Sequence, residues 1–260
     1  MTSPAARPSY RGFHVEVVDA IDISPSFRRL TLTGPDLHAF GDALLDQRIK
    51  LILATPAQTV SWPLDDSYAH WRSLPDAQRP AMRTYTVAGL DPRRRLLMVD
   101  VACRPVHGPA SRFATSARIG DPLLVLGPDR LSPDSGQDGI AWRPGGAEDF
   151  LIVGDETALP AIRNVLNTIP GSARGSVVLE LPTREDAVDL QVPAGLDLHV
   201  VLRSGSPGRS SLRAVHDLKG IRPSAPAAMT QHSDELLWEE AERPRDRRYG
   251  WLASEAGGVM

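Results

Sequence analysis

Residues 150–166 read FLIVGDETALPAIRNVL: an apolar run from Phe150 to Val153, a Gly154-Asp155 break, then Leu159, Ile162, Val165 and Leu166 at helical spacing. The reading is strand, glycine turn, helix. Toward the C-terminus, Val177 to Leu181 and Leu198 to Leu202 are two further apolar strands. Ser210 to Leu218, and Asp234 to Glu242 around Leu236, Leu237 and Trp238, read as helices, and Tyr249 to Ala253 as a last strand. Strands that alternate with helices predict an α/β domain with a parallel sheet.

Toward the N-terminus the pattern changes. Residues 131–147 are rich in Gly, Pro, Ser and Asp and read as a linker. Before them, His14 to Ile23 alternates around Val15, Val17 and Ile21, and Phe27 to Thr33 continues the alternation with Leu30 and Leu32. Ser24-Pro25-Ser26 separates the two as a turn. Lys50 to Ala54 is a short apolar strand closed by Pro56, and residues 61–80, with Trp62, Trp71 and three prolines, read as a surface loop. Thr84 to Ala88, Leu96 to Cys103 and Pro122 to Leu126 complete a set of short strands that predicts a small antiparallel β-barrel. One helical stretch, Ala110 to Ala117, interrupts them after Gly108-Pro109. The expected organisation is an N-terminal tail (1–9), a barrel (10–130), a linker (131–147) and an α/β domain (148–260).

Composition narrows the function classes. The chain has 260 residues, 42% hydrophobic and 23% charged, the make-up of a globular protein. A formal charge of -3 announces neither a nucleic-acid nor an anionic-membrane partner, although Arg93-Arg94-Arg95 and Arg243 to Arg248 are local basic clusters. A single cysteine, Cys103, leaves no intrachain disulfide and no multi-cysteine iron–sulfur or zinc site. The seven histidines have no HExxH-type spacing, so no dedicated metal site is expected. The N-terminus lacks an apolar leader and no run of about 18 apolar residues occurs, so a cytoplasmic, membrane-free monomer is expected.

Three local motifs can carry chemistry. Arg83-Thr84-Tyr85-Thr86 opens a strand, whose alternation sends Arg83 and Tyr85 to one face and Thr86 to the other. A guanidinium grips a diphosphate bidentately and a phenol ring can lie against a flavin; an exposed Arg beside a half-buried Tyr would look the same. Gly108-Pro109-Ala110-Ser111 enters a helix, where free N–H groups and the dipole suit a phosphate, or it is an ordinary turn. Gly154 to Ala158 lies where a parallel strand meets its helix, the usual place for a nucleotide in α/β domains. It matches neither GxGxxG nor GxxxxGK[ST], and Asp155 or Thr157 could merely cap the helix.

Taken in order, these segments resemble the siderophore-interacting family of flavoprotein reductases, itself similar to the ferredoxin–NADP reductase architecture. The resemblance is carried by Arg79 to Val87 (RPAMRTYTV), Val99-Asp100-Val101, Gly108 to Ala114 (GPASRFA), Gly120 to Leu123, Leu126-Gly127-Pro128 and Val153 to Ile162 (VGDETALPAI), with weaker matches at Val201 to Arg203 and Gly250 to Gly257. It implies a FAD-binding barrel followed by an NAD(P)-binding domain, which passes electrons from NADPH or NADH through flavin to an Fe(III)-siderophore. It further implies that Arg83, Thr84, Tyr85 and Thr86 hold the flavin with Val101 alongside, and that Gly108, Pro109, Ala110 and Ser111 bind the pyrophosphate. Gly154, Asp155, Glu156, Thr157 and Ala158 would edge the nicotinamide pocket, with Arg203 farther along. The cofactor carries the chemistry, so no nucleophile or acid–base pair is expected.

Several positions depart from the family pattern. Ala88 stands where a second Arg is frequent, Arg104 where a His is, Phe113 where a Trp is, and Ser254 where a Gly is. Arg104 keeps a cationic donor for phosphate. Family members usually run on past the position of Met260 toward the flavin. Arg184 is a candidate for a 2′-phosphate, favouring NADPH slightly, and Lys50 and Arg48 are candidates for an acidic ferric siderophore or other small molecule. Two other readings stay open: a FAD protein repurposed for oxidation or cyclisation without nicotinamide, and a non-catalytic flavin- or siderophore-binding protein.

Overall fold

The structure is a computed structural model, and it describes residues 7–41, 44–53, 62–103, 108–135, 138–205, 208–219 and 247–254. The helix expected over Asp234–Glu242, the strand end expected at Ala54, and Arg104 lie outside those residues. The chain divides into two units, Met1–Ile140 with Pro160–Val165, and Ala141–Leu159 with Leu166–Met260.

Period-two apolar patterning builds the first unit. Its strands are β1 (Tyr10–Ser24), β2 (Phe27–Thr33), β3 (Arg48–Leu53), β4 (Ala81–Thr86), β5 (Gly89–Asp91), β6 (Leu96–Ala102) and β7 (Pro122–Pro128). They form an antiparallel sheet in the order β4-β3-β7-β1-β2-β6-β5. Alternate residues of β1 (Phe13, Val15, Val17), β2 (Leu30, Leu32), β3 (Ile49, Leu51) and β6 (Leu97, Val99, Val101) share one buried core. Phe13 and Phe40 meet there with ring centroids 5.0 Å apart. The β1–β2 register shifts between Val17 and Asp19, an irregularity of the kind that bends a sheet. Just past β4, Ala88 N donates to Met98 O of β6 at 2.9 Å, so the sheet curls into a half-barrel.

The outer face carries a correction to the sequence reading. Ile52, Leu124 and Leu126 point away from the main core and are covered by Trp62, Leu64 and Trp71. The stretch expected to be a surface loop contains helix α1 (Ser67–Ser73). Two turns are too short to show a period, and α1 is held by tertiary contacts. The Trp71 indole donates to Pro80 O at 2.9 Å and the Arg79 guanidinium lies 4.9 Å from its ring centroid. Helix α2 (Pro109–Ser116) enters the main core through Ala110 and Ala114.

The second unit is the expected parallel sheet. Strands β8 (Asp149–Asp155), β9 (Arg174–Leu181), β10 (Leu196–Leu202) and β11 (Arg248–Ala253) are ordered β10-β9-β8-β11. Helix α3 (Leu159–Leu166) follows β8, and α4 (Arg209–Lys219) follows β10. Gly175 of β9 has φ 139°, and a Cβ there would fall 1.9 Å from Phe150 O, so only glycine fits. Trp142, from the stretch read as a linker, is buried and packs at 5.9 Å on Phe150 and edge-on at 5.2 Å on Tyr249. The strand order turns at β8, which has β9 on one side and β11 on the other. The crevice at the carboxyl ends of β8 and β11 is therefore the topological switch point.

Candidate functional site

On β4, packing separates the two faces that alternation predicts. Tyr85 and Val87 pack with the main core, whereas Met82 belongs to the outer cluster. Arg83 shares the parity of Tyr85. It is exposed, and among the described residues its guanidinium makes one hydrogen bond, Nη1 to Met82 O at 2.8 Å. It has no carboxylate partner among them, so a full positive charge stands free beside a half-buried aromatic ring.

The N-terminus of α2 belongs to the same unit, and the helix contacts β2, β3, β4 and β6. Pro109 occupies the first turn and Gly108 caps it with extended backbone and no side-chain bond. The N–H groups of Ala110 and Ser111 have no intrahelical acceptor, and the helix dipole adds partial positive charge. A Cβ built on Gly108 would meet nothing within 4 Å among the described residues. The Ser111 hydroxyl turns inward and donates to Ala102 O at 3.1 Å; the turn therefore offers backbone N–H groups rather than a free hydroxyl. Val101 is buried in the core cluster that holds Ala110 and Ala114. An unpaired guanidinium, open helix N–H groups and an aromatic ring form a donor set that fits the diphosphate and ring system of FAD.

Lys50 and Arg48 fall on the other face of the β3–β4 pair. Thr84 lies opposite Lys50 and Thr86 opposite Arg48. Lys50 Nζ donates to Thr84 Oγ1 at 2.6 Å, and burial, then the Arg48 charge, lower its pKa. The sheet thus keeps Arg83 and Tyr85 together, and places Thr84, Thr86, Lys50 and Arg48 on the reverse.

In the second unit the acidic residues at the carboxyl edge are satisfied by neighbouring donors. Asp155 Oδ1 accepts from Thr157 N at 2.9 Å, capping the 3-10 turn Glu156–Ala158, and Oδ2 accepts from Ser254 Oγ at 2.7 Å. Glu156 and Glu180 are both fully buried. Arg203 binds both: Nη1 donates to Glu156 Oε1 at 2.7 Å, Nη2 to Glu156 Oε2, and Nε to Glu180 Oε1 at 3.2 Å. Glu180 also accepts from Gly208 N at 3.1 Å and Ser211 N at 2.9 Å, at the start of α4. Gly154 pairs with Ala253 across β8 and β11, so the switch-point crevice is walled by backbone and small residues. That lining leaves room for a dinucleotide, and Arg203 offsets part of the negative charge of the two buried carboxylates behind it.

Sequence reasoning missed the residues that support these edges. Asp100 is buried, accepts two hydrogen bonds from Arg29 at 2.7 and 2.8 Å, and a third from Arg163 at 2.8 Å. Asn164 donates to Leu45 O at 2.9 Å and to Val87 O at 2.7 Å, immediately beyond β4. A charged residue inside an apolar strand, Asp100 between Val99 and Val101 or Glu180 in VVLEL, was the signal that could have found such networks. Cys103 is half-buried, and burial pushes its thiol pKa up. Among the described residues no cluster of His, Cys, Asp or Glu could hold a metal, and no helix is long and apolar enough to cross a membrane.

Known proteins resemble this chain in sequence and in fold. A family model for the siderophore-interacting FAD-binding domain matches residues 16–131, and one for siderophore-interacting protein matches residues 147–260. An uncharacterised protein of Mycobacterium bovis is 33% identical over 196 residues, covering 73% of this chain and 65% of the relative. The ferric vibriobactin reductase ViuB of Vibrio cholerae is 26% identical over 182 residues, 70% of this chain and 63% of ViuB. The chain therefore spans just under two thirds of the length of these curated relatives. The siderophore-interacting protein SipS of Aeromonas hydrophila superposes with a TM-score of 0.66 at 28% identity, covering 97% of this chain and 83% of SipS. A siderophore utilization protein from T. fusca shares the fold, with a TM-score of 0.67 at 23% identity, covering 97% of this chain and 85% of that one.

Proposed function

The chain belongs to the siderophore-interacting protein family, and from that premise we propose that it is a flavin-dependent reductase moving electrons from NAD(P)H to an Fe(III)-siderophore. The observation that carries the reading is the donor set of the half-barrel: an exposed Arg83 with no carboxylate partner among the described residues, the half-buried Tyr85, and the α2 N-terminus capped by Gly108.

Bound FAD supplies the conversion of a two-electron hydride into the single electrons that two ferric ions accept. The protein's part is to bind and orient. Arg83 and the N–H groups of Ala110 and Ser111 hold the diphosphate, and Tyr85 flanks the ring system, with the backbone near Val101 and Thr86 alongside. Arg104 adds a cation. Gly154 to Ala158 shape the nicotinamide crevice, with Arg203 behind Glu156 as the counter-charge of its buried acids. Lys50 and Arg48 attract an acidic ferric chelate, whose hard oxygen donors hold Fe(II) poorly once it is reduced.

A second reading is favoured by one contact. Ser254 adds a hydroxyl at the mouth of the crevice and ties it to Asp155, which suits a flavoprotein that does not use nicotinamide. An absorbance spectrum of the purified protein followed by anaerobic titration separates the two. Reductase function requires a flavin that bleaches with NADPH or NADH and recovers on adding a ferric chelate. A flavin that neither nicotinamide bleaches over hours leaves the second reading. Failure to bind added FAD sinks both.

A further inference from the structure

A cavity of about 430 Å³ opens on the outer face of the first unit, beyond the reach of helix α1. Gly12, His14 and Glu16 follow one another on that face of β1. A Cβ on Gly12 would fall 2.3 Å from Ser67 Oγ, so α1 covers the sheet at that point. The helix is only seven residues long, and past it His14 and Glu16 line the cavity instead. Pro122 of β7 and Thr33 of β2 flank Glu16 on either side, and Leu96 of β6 lies beyond Thr33. Arg95, one residue before Leu96, closes the row and lines the cavity.

Two backbone features shape its wall. A Cβ on Gly34 would fall 2.3 Å from His14 O, so the wall there stays bare backbone. Arg95 has φ 57°, a left-handed conformation that side chains disfavour and hairpin turns ordinarily give to glycine. Thr33 Oγ1 donates to Arg95 O at 3.0 Å and holds the turn from β2. Asp91 closes the turn from within, accepting from Arg93 N at 3.1 Å and Arg94 N at 3.0 Å. Glycine at position 95 would relax this turn, so folding gives no reason for an arginine there.

The charges around the cavity are not consumed by the protein. Among the described residues the Arg95 guanidinium, the Glu16 carboxylate and the His14 imidazole make no hydrogen bond or ion pair. Glu16 and Leu96 stand two strand spacings apart, about 10 Å, so a negative and a positive group flank the cavity from opposite sides of Thr33. An anion alone would be repelled by Glu16, and a cation alone by Arg95. A ligand that carries both charges is complementary to both. Pro35 and Pro122 are exposed apolar rings on the rim and suit an apolar side chain. The volume falls within the roughly 300–1,000 Å³ of small-molecule sites. Leu96 and Val101 lie at opposite ends of β6, roughly 17 Å apart, so the cavity is separate from the donor set at α2.

We propose that this cavity binds a free α-amino acid with an apolar side chain. Its carboxylate rests on Arg95, its ammonium on Glu16, and its side chain between Pro35 and Pro122. The site is independent of flavin and nicotinamide use.

The test is calorimetric titration of the full chain with L-phenylalanine and L-leucine. Each is run beside its analogue without the ammonium (hydrocinnamate, isocaproate) and its analogue without the carboxylate (phenethylamine, isoamylamine). At least one amino acid is expected to bind about tenfold more tightly than both of its analogues, the scale of one lost charge-assisted contact. Arg95→Gly is expected to erase the advantage over the amine, and Glu16→Gln the advantage over the carboxylate. Both side chains are exposed and glycine suits the left-handed turn, so the melting temperature is expected to hold in Glu16→Gln and to hold or rise in Arg95→Gly. No binding of either amino acid, equal binding of an amino acid and its analogues, or an advantage that survives both substitutions overturns the proposal.

Discussion

Arg83 in the half-barrel and Arg203 in the parallel-sheet unit are both sequence candidates for cofactor binding, and they occupy opposite electrostatic situations. Arg203 is closed: its guanidinium is taken by the buried Glu156 and Glu180, which also anchor the start of α4. Arg83 is open, exposed and without a carboxylate partner among the described residues. Two buried acids in a low-dielectric interior need a counter-charge before the unit can fold. The lesson is that a motif arginine at the edge of a binding crevice can serve stability, whereas a motif arginine left unpaired is available to a ligand.

The largest effect expected from this contrast is on stability. Arg203→Ala leaves two buried carboxylates without their cation, and should cost about 3–5 kcal/mol in a urea-unfolding measurement of the second unit. A loss within about 0.5 kcal/mol of the original protein, the range of ordinary surface changes, would collapse the comparison.

The half-barrel has a closed arginine network of its own, and it makes the next prediction. Burial raises the pKa of Asp129, but hydrogen bonds from Arg7, Leu131 N and Arg11 outweigh it, and the net shift is downward. A carboxyl held below its unfolded value of about 3.9 stabilises the fold at pH above that value. The contribution is lost as the pH falls through the folded-state pKa. Asp129→Asn should therefore cost about 1.5–3 kcal/mol at neutral pH, with the difference between variant and original shrinking in melts taken below about pH 4.

The open arginine should behave in the opposite manner. Arg83→Ala is expected to leave the melting temperature of the flavin-free protein unchanged, while weakening FAD binding by about tenfold in fluorescence titration, the scale of a lost charge-assisted contact. A lowered melting temperature with unaltered FAD affinity would place Arg83 with the closed group.

The smallest expected effect sits between the two classes. Ser254→Ala removes one hydrogen bond to Asp155 and should cost about 0.5–1.5 kcal/mol of stability. If the hydroxyl obstructs the crevice, the same variant should be reduced faster by NADPH in anaerobic stopped-flow mixing. A slower rate would instead mean that Ser254 positions Asp155 for binding.

Much of the fold was legible in the chain itself. Alternation in β1, β2 and β6, and the apolar runs of β8 and β9, are local patterns that a sheet buries in one way. Helix α1 was not legible, because it draws its stability from Trp71 against Ile52 and Leu126, contacts remote in sequence. Nor was Trp142, which lies in a Gly- and Pro-rich stretch yet packs on Phe150 and Tyr249.

Of the candidate site, residue type and local parity came from the chain alone: Arg83 with Tyr85 on one face, Thr86 on the other, and glycine opening α2. Whether each charge is free or consumed was decided by tertiary structure. Arg83 and Arg203 look alike in sequence, each a cation at the end of a motif. Only the fold brings Glu156 and Glu180, 47 and 23 positions away, onto Arg203 and brings no carboxylate among the described residues onto Arg83. Propensity acts over a few residues, whereas the pairing of a charge depends on which distant strands share its edge, and on how deeply that edge is buried.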